Sequence, residues 1–377
     1  MEHNMKTFVA TSEDADDTRS NLTDEASFNL IDPRPSLNDP IALSDWLQRR
    51  YMVTERDNAF LDRLKLVLQR DTNGQFLPVP KKDQEETMGI CVSAPAREGK
   101  TFMVTQSLTR IFGQKVDMKK CGKHILYCRL KTNVTVKGVY MDICTATGLD
   151  VFPSRMTQAE AHNLASHRLK MAGVKIIIID EVHNLLRSGK EATNLFLKGF
   201  FHDDEGFCLI AIGTERLREF IYEHPDNAEL SGRFLDFPLE NVSETSTVVM
   251  IQDALKKLTG DIEMKVGRSI KSDPYFANRI YDGCRGSFGR CMRLLTTSIV
   301  HALEEGGKAV EIEDFATVFD LQFLHFNTEN PFTVRNWAAR IGAEPSDAGN
   351  GDILFEDGNV EPVKKKRGRK PRAAVQT

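Results

Sequence analysis

GICVSAPAREGKTFMVTQSLTRIF, residues Gly89–Phe112, changes its pattern twice within one short stretch. GICVS is an unbroken apolar run of strand length, the pattern of a strand buried on both faces of a sheet. TFMVTQSLTRIF reads as an amphipathic helix, and APAREGK between them carries a single glycine, Gly99. A strand that turns through such a loop into a helix aims unpaired backbone N–H groups at one point, which attracts an anion. The loop fits the pattern G-x-x-x-x-G-K-[ST] apart from Ala94 at its first position. In that pattern the backbone of Ala94, Pro95, Ala96, Arg97, Glu98 and Gly99 wraps phosphates, Lys100 reaches the terminal phosphates, and Thr101 offers its hydroxyl to magnesium. ATP with Mg2+ is therefore the expected ligand. Ala94 adds a methyl group that is tolerated if its φ is negative. Glu98 is the odder residue, because a carboxylate beside phosphates costs energy unless it points outward or pairs with Arg97.

KIIIIDEVHNLL, about eighty residues downstream, supplies the acids that such a loop requires. At the carboxyl end of a central strand, Asp180 is placed to hold the metal through its water shell, and Glu181 to orient and deprotonate the attacking water. The alternative is that both acids only cap the next helix. The strand FCLIAIG ends at Thr214, a polar residue expected beside the γ-phosphate. ELSGRFLDFPL puts Arg233 just before a last strand, where it is expected to reach a neighbouring subunit's site as an arginine finger. RGSFGRCMRLL opens a helix from which Arg290 is expected to touch the nucleotide.

Five strand candidates, GICVSAP, HILYCRL, VKIIIID, FCLIAIG and FLDFPL, alternate with helices near 100–112, 136–147, 157–171, 190–202 and 214–223. Beyond Pro238 the chain reads as helical over 243–258, 273–283, 287–305 and 311–325. The expected fold is α/β: a five-stranded parallel sheet with flanking helices over 88–240, then a small helical lid over 241–326. Ahead of it, 41–87 is expected to be a helical entry segment packed on the α/β domain, followed by a loop at DTNGQFLPVPKKDQEET. Residues 1–40 form an acidic arm and 327–377 a basic tail containing VKKKRGRKPR, both read as disordered.

With 377 residues, 41% hydrophobic and 28% charged, the composition is that of a soluble globular protein. MEHNMKTFVATSEDADD lacks the layout of a signal peptide and no apolar run reaches the length of a membrane span, so a cytoplasmic location without membrane contact is expected. Seven cysteines without a C-x-x-C pair argue against a disulfide framework, and Cys121, His124 and Cys128 lack a fourth metal ligand nearby. DEVH suggests a helicase, but helicases of that kind need a second α/β nucleotide domain, and the rest of this chain is mostly helical.

Together these segments resemble the AAA+ superfamily, and within it the TniB/TnsC family of bacterial transposition ATPases. The resemblance spans roughly Trp46 to Phe323 and is carried by RRYMVTERDNAFLDRLKLVL, SAPAREGKT, GVKIIIIDEVHNLLRSGK, IAIGTERLREF and LSGRFLDFPL. It implies ATP-bound subunits that assemble as a homo-oligomeric ring or filament on double-stranded DNA and link a target-selection protein to a transposase, with hydrolysis resetting the assembly. Lys131, Lys137 and Arg155 are the candidate DNA contacts, and the basic tail resembles an AT-hook whose alternative is a generic polybasic segment. Two other readings share the same ATPase core: an origin-recognition or helicase-loader protein, and a signalling ATPase without DNA binding.

Overall fold

Alternation inside the apolar strands decides the layering. In the computed structural model, which describes residues 33–83, 86–149, 155–201, 206–239, 242–322, 329–334 and 337, Ile176 and Ile178 face one apolar cluster while Ile177 and Ile179 face another. Both faces of this strand are therefore core, and each isoleucine buried this way contributes about 2–3 kcal/mol. Neighbouring strands repeat the pattern: Ile90 and Val92 face the same side as Ile178, and Cys91 faces the opposite side.

The central sheet contains β5 (Gly89–Ser93), β6 (Ile125–Arg129), β7 (Ile176–Asp180), β8 (Cys208–Gly213) and β9 (Phe234–Pro238). They are all parallel, in the order β6-β7-β8-β5-β9. β5 and β7 end on either side of β8, so the loop after β5 and the acids at the end of β7 open on the same edge. Helices α3 (Lys100–Phe112), α4 (Val136–Ala146), α5 (Gln158–Met171), α6 (Lys190–Gly199) and α7 (Glu215–Tyr222) join the strands within a few residues of the expected limits, and α8 (Ala228–Arg233), a short helix the sequence reading did not place, precedes β9. The lid comprises α9 (Glu244–Asp261), α10 (Arg268–Lys271), α11 (Phe276–Gly283), α12 (Phe288–Glu304) and α13 (Ile312–Gln322), tied by a short parallel pair, β10 (Lys265–Val266) and β11 (Ala309–Val310).

The entry segment differs from expectation. It is two helices with different allegiances, α1 (Pro40–Gln48) and α2 (Glu55–Val67). Leu43, Trp46 and Leu47 of α1 join the lid core with Leu294 and Leu295, and Ser44 donates to Glu304 at 3.0 Å. Phe60, Leu64 and Val67 of α2 pack on the α/β core with Met103 and Val104. Residues 49–54 form a strap between them, and Asp57 closes a capping box with Thr54 that fixes where α2 begins.

The expected loop at 71–87 is instead two small antiparallel pairs, β1 (Leu68–Arg70) with β2 (Phe76–Pro80), and β3 (Lys82–Asp83) with β4 (Glu86–Thr87). Asp71 Oδ1 accepts from Asn73 N at 2.9 Å and Gln75 N at 2.8 Å, so the residues that suggested a loop build a hairpin turn. The boundary expected at Asn327 also moves. Phe332 lies in the lid core, and Arg279 donates to the Pro331 and Val334 carbonyls and lies 5.6 Å from the Trp337 ring, itself buried. Two aromatic side chains supply enough apolar area to hold this stretch down. Most of the acidic arm and the whole basic cluster Lys364–Arg372 lie outside the described residues. Among the described residues no helix is long and apolar enough to cross a membrane.

Candidate nucleotide-binding site

Gly99 stands at the N-cap of α3 with φ of 83°, a left-handed conformation that side chains resist, and this is the turn that aims the helix N-terminus at the loop's interior. Arg97 shares the left-handed region at φ 71°. Ala94 does not: it keeps an ordinary backbone, packs in the core at 2% exposure, and its N–H donates to Gly213 O at 3.4 Å. The missing glycine therefore costs the loop nothing in backbone strain. Pro95, Ala96 and Arg97 are exposed at the loop's crown, and Glu98 is buried.

Lys100 folds over this cradle. Its Nζ donates to Ala94 O and Pro95 O at 2.8 Å each, holding the loop closed on itself. Burial lowers the Lys100 pKa, while Glu181, Asp180, Glu98 and Glu215 oppose that effect. The ammonium is thus poised to prefer a stronger anion to two carbonyls.

Asp180 is the hub on the other side. At 3% exposure its Oδ2 accepts from Thr101 Oγ1 at 2.7 Å and from the Tyr127 hydroxyl at 2.8 Å, and its Oδ1 from Glu181 N at 2.8 Å. A hydroxyl and a carboxylate meeting this closely form an oxygen donor set suited to a hard divalent cation, so the residues present fit Mg2+. Tyr127 was missed by the sequence reading. Its only trace there is a polar tip inside the apolar run HILYCRL, and burial together with Asp180 pushes its phenol pKa up.

Glu181 has φ of 60°, strain of the kind that gathers at functional loops. Its carboxylate lies 3.4 Å from His183 Nε2 and 3.7 Å from an Arg129 guanidinium nitrogen. Burial lowers the His183 pKa, Glu181 raises it, and Lys100 and Arg216 push it lower again. Thr214 comes directly after the strand whose last carbonyl holds Ala94, and its Oγ1 is buried with no hydrogen-bond partner. Lys100, Thr101, Asp180, Glu181 and Thr214 therefore converge on one edge of the sheet.

Behind the loop a cavity of about 560 Å³ is walled by the strap, α3 and the lid. Phe288, Gly289, Met292, Arg293, Thr296 and Thr297 of α12 line it. Arg290 is not among these lining residues. Arg293, which the sequence reading passed over, is the α12 arginine that lines the cavity. Gly289 is there for closeness: a Cβ on it would lie 2.3 Å from Arg97 O, so lid and loop touch backbone to backbone.

Arg233 is not part of this cluster. It ends α8 and is ion-paired to Glu86 of its own chain. Lys131 and Arg155 are exposed and Lys137 half-buried, away from the cavity lining. All seven cysteines are free, and among the described residues no group of three or more His, Cys, Asp or Glu is arranged to hold a metal by itself.

No curated protein matches the chain. Among solved structures it is similar to Aeropyrum pernix Orc1 in complex with DNA (16% identity, TM-score 0.48, covering 63% of this chain and 60% of that one). It is also similar to Cdc6p from Pyrobaculum aerophilum (14%, 0.45, 62% and 60%) and to the Thermotoga maritima RuvB Holliday junction branch migration motor (14%, 0.39, 68% and 75%). The chain thus spans 60% of the length of the first two. The strand order, the phosphate loop and the helical lid are those of the AAA+ P-loop fold. A model of the bacterial TniB protein family matches residues 49–244, from the strap to the first residue of α9, and the chain belongs to that family.

Proposed function

We propose that this protein is an ATP-hydrolysing regulator of transposition that assembles on double-stranded DNA and links a target-selection protein to a transposase in the cytoplasm. The observation that carries the nucleotide part is the Thr101–Asp180 hydrogen bond beneath a loop whose lysine donates to the loop's own carbonyls. On ATP binding, Lys100 exchanges Ala94 O and Pro95 O for the β- and γ-phosphates. Thr101 and Asp180 would hold Mg2+, which would supply charge neutralisation at the phosphate oxygens. Glu181, steadied by His183 and Arg129, accepts a proton from water as the water oxygen attacks the γ-phosphorus and the bond to the bridging oxygen breaks, releasing ADP. Thr214 orients that water or the γ-phosphate from the end of β8.

DNA binding and assembly rest on family membership. Arg233 completes a neighbour's site as an arginine finger, for which the Glu86 pair must open. Arg290 reaches the nucleotide from the lid, and Arg293, which lines the cavity, is a second lid cation for it. Lys131, Lys137 and Arg155 remain the proposed DNA contacts. The test is electron microscopy with sedimentation of the protein with ATP, magnesium and duplex DNA. Oligomers that form on DNA only with ATP, and are lost in Lys100→Ala, are expected; a monomer on DNA under those conditions overturns the assembly reading. Absence of DNA binding at low salt points instead to a nucleotide switch acting through protein contacts.

A further inference from the structure

Glu98, the unexpected residue of the phosphate loop, is neither turned outward nor paired with Arg97. It is 5% exposed, and its Oε2 has no hydrogen-bond partner among the described residues. Arg97 is exposed, and among the described residues no ion pair joins the two. A carboxylate buried this way, one residue from the turn that wraps phosphate, requires a cation nearby.

That cation comes from outside the loop. Arg56, in the first turn of α2, has Nε and Nη2 buried without hydrogen-bond partners, and its guanidinium lies 5.6 Å from the Phe288 ring of the lid. Burial works against its charge, and Glu98 is the acid that supports it most, ahead of Tyr51 and Asp57. Asp57 has no capacity left for it. Its Oδ1 accepts from the Tyr51 hydroxyl at 2.5 Å and Ser107 Oγ at 3.3 Å, and its Oδ2 from Thr54 N at 2.8 Å and Thr54 Oγ1 at 3.0 Å. Arg56 and Glu98 thus line the same cavity, each with buried polar atoms that no hydrogen bond fills among the described residues.

We propose that Arg56 is a positioning residue for the nucleotide: its charge holds the Glu98 carboxylate beneath the loop and away from the phosphates, so the entry helix sets ATP affinity. The inference rests on the ATP reading above. It differs from simple attraction of phosphate by Arg56, because it makes the effect of Glu98 conditional on Arg56.

The full chain and its variants Arg56→Met, Arg56→Lys, Glu98→Gln and both double variants are titrated with ATP and with adenosine, which lacks phosphate, and their melting is followed by circular dichroism. Arg56→Met is expected to weaken ATP about tenfold and adenosine by less than about twofold, with Arg56→Lys recovering most of the loss. Glu98→Gln is expected to tighten ATP about threefold in the natural background and about thirtyfold beside Arg56→Met. An equal gain in both backgrounds overturns the proposal, as does equal weakening of ATP and adenosine by Arg56→Met. If Arg56→Met fails to fold, the Arg56→Lys cycle decides by the same inequality at smaller amplitude. A natural chain that binds no ATP removes the nucleotide reading itself.

Discussion

The candidate nucleotide site has two halves built by different rules. The phosphate half is made of backbone turns at the ends of β5, β7 and β8, where each functional group is fixed by the conformation its position requires. The other half, behind the loop, is made of surfaces that come together only in the folded chain: the strap, α2 and one face of α12. In the first half a residue's role comes from its place in a motif. In the second it comes from what it packs against, and Gly289 against Arg97 is the clearest instance.

Two halves of such different construction should respond to mutation by degrees. Lys100→Ala strikes the phosphate half at its centre and is expected to weaken ATP at least about a hundredfold, since a desolvated charge-to-phosphate contact is lost. Calorimetric titration checks it, and a loss below about tenfold would place the phosphates elsewhere. Glu181→Gln stays in the same half but acts on chemistry alone. Phosphate release is expected to fall about 10²–10³-fold while ATP binding holds, because the amide orients water but accepts no proton. A variant that hydrolyses at the natural rate removes Glu181 as the base.

Gly289→Val moves to the other half. Its Cβ would meet backbone, which does not yield as a flexible side chain does, so α12 must withdraw from the loop. ATP, ADP and adenosine are all expected to weaken about tenfold, with the melting of the α/β core little changed. Uniform weakening separates the lid face from Lys100→Ala, whose effect grows with the number of phosphates, and from Arg56 of α2, which acts on the phosphates through Glu98. If Gly289→Val discriminates between ATP and adenosine, the lid face governs the phosphates as well.

The same division explains what was legible in the sequence. β5 to β9, α3 to α7 and the residues Lys100, Thr101, Asp180 and Glu181 can be read from short apolar runs and motif spacing, because local backbone requirements select those residue types. Thr214 is found by the same logic from its place at the end of a strand. Tyr127, Arg293 and the Arg56–Glu98 relation are not, because nothing local to them differs from an ordinary core tyrosine or surface arginine. The strap shows the limit most plainly. The entry segment reads as a single helical unit, and only tertiary packing reveals that Trp46 belongs to the lid and Phe60 to the sheet. The hairpin at Asp71 was hidden by a different cause, since the turn residues that imply a loop are also those that close β1 on β2.

The smallest expected effect probes the seam where catalytic acids meet buried charge. Burial depresses the folded His183 pKa below its ordinary value, with Lys100 and Arg216 adding to the depression and Glu181 opposing it. The unfolded chain therefore binds more protons below about pH 6.5, and stability falls as pH drops through that window toward the folded pKa. Above it His183 is neutral in both states and contributes no slope. His183→Gln is expected to flatten this acid limb, a difference in melting temperature of about 2 °C or less between pH 5.5 and 7.5. Thermal denaturation at both pH values measures it. An unchanged limb would remove His183 as its source, and a steeper one would mean that Glu181 holds His183 protonated and that the pair is an ion pair at neutral pH.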